Sequence, residues 1–434
     1  MLKQSLGLTQ ATAMVVGTII GASIFVQPSE ITRQMPTVGG ILLVWLGAGV
    51  LTIFGALACA ELASAFPRTG GVYVYLTEAY SPAAGFLWGW AMFWSMHTGI
   101  IAAIAMVFAR YASVFVPMSD VALRLTAVGL IVVLSTINVL GVKHGGRIQT
   151  TFTAAKLGAI VLMILAGAWL TWGQALPAAP ASGGGASAEG FALAMVAGLF
   201  AYGGWHMVTF TAGETRDAAS TIPRALVIGT LIVTACYAGL NAIYLRVLPL
   251  DALRSSTRVA ADAADALMGS GGAGAMAVLV MISTFGAVNG IILTGPRVYY
   301  SMAQDGLLFK WLGETHPTFH TPHRALILQA VWASVLTLTD TYRALFTRVI
   351  YTEWIFFALM AGGLFILRRR RDYAPRYRMW GYPLVPAVFV GASLTIVAFQ
   401  VAAEPRDSAL GLGLVLLGWP VYLLWVRRHR PTRT

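Results

Sequence analysis

The sequence predicts an all-α integral membrane protein with about twelve transmembrane helices, and three observations carry that reading. Of the 434 residues, 58% are hydrophobic and only 11% are charged, whereas a soluble domain needs roughly a quarter charged residues. The mean hydropathy is +0.74. The apolar residues come in blocks of about 20, the length that crosses a hydrocarbon core roughly 30 Å thick. Over such lengths in lipid, helices satisfy their own backbone hydrogen bonds.

Taken in order, the expected spans are 8–34, 38–66, 82–115, 121–140, 149–172, 191–213, 222–248, 272–303, 324–339, 349–367, 382–401 and 410–426. Each is a continuous apolar block bounded by charges, Pro or Gly. Between the fifth and sixth lies 178–190, rich in Ala, Gly, Pro and Ser, which reads as a flexible external loop. The N-terminus runs almost directly into the first span, so no cleavable signal peptide is expected. Cys59 and Cys236 fall inside apolar blocks and read as inert core residues, without the partners that a disulfide or metal site requires. No cofactor or metal is expected.

The formal net charge of +12 raises the question of nucleic acid. The charges sit between the apolar blocks, however, and form no basic, aromatic-interleaved patch that could dock on phosphates. They orient the chain instead. With both termini cytoplasmic, 18 of the 29 Lys and Arg fall in inner segments, including Lys143, Arg147 and the run Arg368 to Arg371. Eight fall in outer loops: Arg33, Arg124, Arg246, Arg254, Arg258, Arg343, Arg348 and Arg406. Arg110, Lys156 and Arg297 lie within spans.

Two spans carry signals of a break. Gly17-Thr18-Ile19-Ile20-Gly21-Ala22-Ser23-Ile24-Phe25 lies in the middle of the first, and Phe200-Ala201-Tyr202-Gly203-Gly204-Trp205 in the middle of the sixth. Glycine costs about 1 kcal/mol in a helix interior relative to alanine. Either segment alone reads as a small-residue packing face. Together they stand five spans apart, the pattern of two inverted five-helix repeats that each begin with a discontinuous helix. Freed backbone N–H groups at a half-helix terminus then bind an anion, for which a substrate carboxylate is the natural ligand.

Charge inside the membrane is expensive and needs a reason. Lys156 reads either as a snorkelling lysine or as a tie between the fifth span and the broken first. Glu353 has no basic partner four residues away in either direction. His97 and His206 are candidate proton-responsive groups, each also readable as a hydrogen-bonded structural histidine. Glu61 and Glu214, near inner helix ends, are expected to pair with loop arginines. Catalytic motifs are lacking: there is no metal-ligand spacing, nucleophile motif or phosphate-cradling loop, so an enzyme is not expected.

These residues resemble the amino acid–polyamine–organocation (APC) superfamily, most closely its L-type amino acid transporter branch and bacterial relatives. The resemblance runs through Gly17 to Phe25, Glu61 to Tyr75, Gly85 to Trp90, Asn138 to Lys143 with Lys156, and Phe200 to Trp205. It continues through Ile222 to Leu226, Arg297 with Ala303 to Gly306, Thr321-Pro322 and Arg368 to Arg371.

The resemblance implies a LeuT-like 5+5 inverted-repeat bundle, with repeats over about 8–172 and 191–367 and two further helices over 382–426. In such a fold the backbone of Ile20, Gly21, Ala22 and Ser23 takes the substrate carboxylate. Carbonyls of Phe200, Ala201 and Tyr202, beside Gly203, take the amino group, and Phe200 gates the substrate. Lys156 stands in for a bound sodium ion, which implies sodium independence.

Three departures from the family matter. Ser23 replaces a small Gly, and His206 and Glu353 stand where L-type relatives carry neutral amides. An acid in the pocket fits a substrate with a positive or polar side chain, or a proton-coupled step carried by Glu353 or His206. The loop over 117–122 lacks the cysteine that bridges eukaryotic relatives to a heavy subunit, so no covalent partner is expected.

The resulting expectation is a multi-pass plasma (inner) membrane permease working by alternating access. It moves amino acids or small amines, by exchange or with protons. A non-transporting sensor on the same fold is the alternative; it would need an output domain, and only eight residues follow Val426. A channel is disfavoured because broken helices fit an occluded site.

Overall fold

The computed structural model describes residues 6–140, 145–173, 187–269, 271–319 and 321–428. Apart from one isolated bridge, Leu6 to Thr215, the described residues form helices and turns. In chain order these begin with α1 (Leu8–Ile19), α2 (Gln27–Gln34), α3 (Val38–Ala65), α4 (Val72–Ala79), α5 (Pro82–Ala91) and α6 (His97–Ala112). Next come α7 (Asp120–Leu140), α8 (Gly145–Leu170), α9 (Ala188–Ala201), α10 (Ala218–Val247), α11 (Leu250–Ser255) and α12 (Val259–Met268). The chain ends with α13 (Gly272–Gln304), α14 (His323–Thr339), α15 (Tyr342–Leu367), α16 (Leu384–Ala403), α17 (Pro405–Leu416) and α18 (Gly418–Arg428).

Eleven helical stretches among the described residues are long and apolar enough to cross a membrane. The expected ninth span corresponds to α14, which at 17 residues is shorter than these. Burial sorts the stretches into interior and periphery. Within an apolar 18-residue window of each, 83% of residues are buried in Pro82–Ala112 and Ala188–Glu214, against 28% in Phe152–Leu170 and 22% in Pro405–Trp425. The α3 and α10 helices pack along much of their lengths, and α1, α6, α13 and α15 complete the interior. Exposed Leu, Val and Trp side chains stud α7, α8 and α16 to α18, as expected of faces solvated by lipid.

Several boundaries differ from the sequence reading, each for a local reason. The tenth span starts at Tyr342 because the Thr341 hydroxyl caps it, accepting from Ala344 N. Arg343 and Arg348, expected in an outer loop, therefore lie in its first turns, and Arg348 pairs with Asp340 at 3.0 Å. The sixth span starts at Ala188, where Ser187 caps Gly190 N. The third is interrupted by a π turn over Met92–Met96, with the Thr98 hydroxyl donating to Phe93 O at 2.7 Å. Short helices α4, α11 and α12 occupy segments read as loops. They escaped notice because helices of 6 to 10 residues carry too few turns to show a periodicity. Lys143 and most of the 178–190 loop lie outside the described residues.

Candidate functional site

Helical geometry in α1 stops at Ile19; Ile20 has ψ of 75°, and a 3-10 turn over Ser23–Phe25 leads into α2. A broken helix leaves carbonyls without intrahelical partners. Here three other helices supply the donors. Lys156 of α8 is buried and its Nζ donates to Gly17 O at 3.0 Å and Ile20 O at 2.8 Å. Ser283 of α13 donates to Gly21 O at 2.9 Å. Tyr237 of α10 places its Oη 3.0 Å from Ile19 O. Lys156 thus reaches inward to the break instead of snorkelling, and a cation at the C-terminal end of a half-helix is electrostatically favoured.

The second interruption mirrors this. The α9 helix ends at Ala201, and the chain turns through Tyr202 to Gly204 into a 3-10 segment over Trp205–Glu214. Gly204 has φ of +97°, and a Cβ there would meet Thr18 O at 3.1 Å. Only glycine combines that backbone with so close an approach. Thr18 Oγ1 lies 3.2 Å from Gly204 O. The same Tyr237 Oη is also 3.0 Å from Ala201 O, so one phenol touches a freed carbonyl of each break.

Between the breaks lies a small cavity. Thr18, Ile19, Gly21 and Ser23 line it from the first interruption, and Phe200, Gly203, Gly204 and Met207 from the second. Ile100 and Ile104 of α6, Ile291 of α13 and Glu353 of α15 close it. The sequence reading placed Glu353 in the outer half of its span. Because α15 starts seven residues earlier, Glu353 sits near its middle, level with the breaks. Its Oε1 faces His206 Nε2 at 3.7 Å, with both side chains at most 3% exposed. Rings of Trp88, Trp205, Phe210 and Phe357 surround His206.

Phe200 packs against Phe346 and Tyr342 of α15, with centroids 5.4 and 6.5 Å away. Tyr342 in turn accepts from Gln27 Nε2 at 3.0 Å, and the Arg110 guanidinium lies 4.9 Å above its ring.

Of the residues singled out in the sequence, Gly21, Ser23, Phe200, Gly203 and Glu353 line this one cavity. Ile20, Ala22 and Ala201 belong to the breaks but do not line it. Tyr202 turns away, its hydroxyl 3.2 Å from Trp45 O. His206 stands behind Glu353. His97 is bonded to Ile291 O at 2.7 Å, at the back of a lining residue. Sequence reasoning missed Thr18, Met207, Tyr237 and Ser283. For Thr18, Tyr237 and Ser283 a hydroxyl in an apolar span was the available signal, but Ser, Thr and Tyr are too common in membrane helices to be selective; Met207 offered none.

The basic end of the bundle is closed by polar ties. Glu61 accepts from Arg368 Nε at 2.8 Å, from Met379 N at 2.7 Å and from Tyr373 Oη at 3.3 Å. Burial, and then the Glu61 carboxylate, pushes the Tyr373 hydroxyl above its ordinary range. Glu214 pairs with Arg297 at 2.8 Å, and Tyr73 Oη donates to Asp305 at 2.6 Å. Glu61 thus meets an arginine at the end of α15, whereas the partner of Glu214 is Arg297 within α13 and not a loop arginine.

Comparison with known proteins identifies the family. A family model described as amino acid permease matches residues 6–422. The chain is 32% identical over 425 residues to the serine/threonine exchanger SteT of Bacillus subtilis, covering 97% of this chain and 96% of that one. It is 31% identical over 433 residues to the human cystine/glutamate transporter, covering 98% and 86%. To the human large neutral amino acids transporter small subunit 2 it is 31% identical over 446 residues, covering 99% and 82%. The chain belongs to the amino acid permease family.

Proposed function

We propose that this chain is a sodium-independent exchanger of amino acids, working by alternating access without covalent chemistry. The observation that carries this reading is the cavity between the two helix breaks, with Glu353 on its far wall. A 3-10 turn leaves its first N–H groups unbonded within the helix, and those of Ala22 to Ile24 are suited to a carboxylate. The carbonyl ends at Phe200 to Tyr202 are suited to an ammonium, and Phe200 acts as the gate. The substrate side chain then meets Glu353, which favours cationic or hydrogen-bond-donating side chains over large apolar ones. The spans form two inverted repeats over about 8–172 and 191–367. Lys156, bonded where a cation would bind, supports sodium independence.

We place the chain in the plasma membrane with both termini cytoplasmic, on the strength of the basic-residue bias. Its two cysteines, both buried, argue against a disulfide-linked heavy subunit. The test is uptake of a labelled amino-acid panel into proteoliposomes with and without internal amino acid, sodium and a proton gradient. Uptake that needs internal substrate and ignores sodium is expected. Uptake driven by a proton gradient into empty vesicles would replace exchange with symport. A sodium requirement would remove the role given to Lys156.

A further inference from the structure

At the basic end of the bundle, well apart from the central cavity, lies a second cavity of about 150 Å³ with purely apolar and aromatic walls. Phe86 and Trp90 of α5, Phe93 of the π turn, Tyr299 of α13, Ala325 of α14 and Trp311 of the 3-10 turn Lys310–Gly313 are among its walls. Around it Tyr299, Ala303, Leu312 and Ala325 form a hydrophobic cluster separate from the main core. Apolar cavities of this size stay dry and accept benzene-sized apolar ligands, so water is a poor occupant.

We propose that this crevice binds one acyl chain of an anionic phospholipid, with the headgroup phosphate paired to Lys310. Three observations select that occupant. The rim residues Phe309 and Trp311 are 50% and 38% exposed, an aromatic rim of the kind that anchors at the membrane interface. Lys310, between those two rim residues, is exposed and forms no ion pair among the described residues, while neighbouring Arg324 is neutralised by Glu314 at 2.7 Å. The walls present no polar atom to the space, so the part of a ligand that enters it is hydrocarbon and a charged headgroup stays at the rim. The proposal does not depend on what the central cavity carries.

The test uses full-length protein in nanodiscs of phosphatidylcholine doped with phosphatidylglycerol or phosphatidylcholine carrying a diazirine on one acyl chain. Labelled peptides are mapped by mass spectrometry. Labelling concentrated on the segments 86–94 and 299–312 is expected, with the phosphatidylglycerol probe preferred about fivefold through one basic residue near the headgroup. Ala325→Trp should fill the crevice and abolish the focus, and Lys310→Gln should erase the lipid preference while keeping the focus. Both variants are compared only if they elute as monodisperse as the wild type; should Ala325→Trp fail this, Leu328→Phe replaces it. Labelling spread evenly over lipid-facing helices such as α7 and α8, or a focus untouched by filling the crevice, would overturn the site. A preference that survives Lys310→Gln would overturn the headgroup assignment.

Discussion

Lys156 shows how one side chain holds a break in place. It replaces, with a charge-assisted donor, the N–H groups that Gly17 O and Ile20 O lost when α1 stopped. Each buried carbonyl left unpaired costs about 1–3 kcal/mol. Lys156→Met is therefore expected to lower uptake at least tenfold in protein that still reaches the membrane, and uptake within twofold of wild type would refute the tie. Tyr237 acts more gently, because its single proton serves Ile19 O or Ala201 O. Tyr237→Phe should weaken substrate binding by about 1 kcal/mol, the worth of one hydrogen bond, read as a roughly fivefold rise in Kd in a scintillation proximity assay. Glu353→Gln keeps the shape of the side chain and removes the group that can ionise beside a cationic substrate side chain. It should cost about tenfold in affinity for substrates with cationic side chains and leave small neutral ones nearly unchanged. If the pair carries protons, Glu353→Gln and His206→Asn also flatten the pH dependence of uptake; wild-type pH profiles in both would end that idea.

Among the elements, the segment after α15 is tied to α3 by several polar contacts. Arg368, Tyr373 and Met379 converge on Glu61 of α3, and the Arg368 guanidinium also covers the Tyr382 ring at 3.8 Å. The Glu61 side chain is fully buried and Arg368 18% exposed, so removing one partner strands a largely desolvated charge, at about 3 kcal/mol or more. The Arg324–Glu314 pair is 44% and 58% exposed, and such pairs contribute about 0–1 kcal/mol. Differential scanning fluorimetry in detergent should therefore show a clear fall in Tm for Glu61→Gln and almost none for Glu314→Gln. Equal shifts would mean that the buried tie is already loose. Glu61 and the Arg368 run stood out in the sequence, but their pairing across roughly 300 residues did not. Nothing local distinguishes which arginine of a run reaches a given acid.

On the scale of the whole molecule, the charge bias makes an orientation testable. In a background with Cys59→Ala and Cys236→Ala, a membrane-impermeant maleimide applied to intact cells should label Arg406→Cys and leave Arg370→Cys untouched until the membrane is opened. The reverse pattern would invert the topology. The apolar blocks, the positions of both breaks and the oddity of Lys156 and Glu353 were all legible in the sequence. Block length is fixed by bilayer thickness, glycine by its backbone cost, and buried charge by its desolvation, and each acts on residues close in the chain. Tertiary structure alone decided that Tyr237 spans both breaks, that His206 stands behind Glu353, and that Tyr202 faces away from the cavity. Those outcomes depend on how long helices rotate and slide against one another. Packing over whole faces sets that register, and helices that are apolar all round carry no local pattern from which to read it.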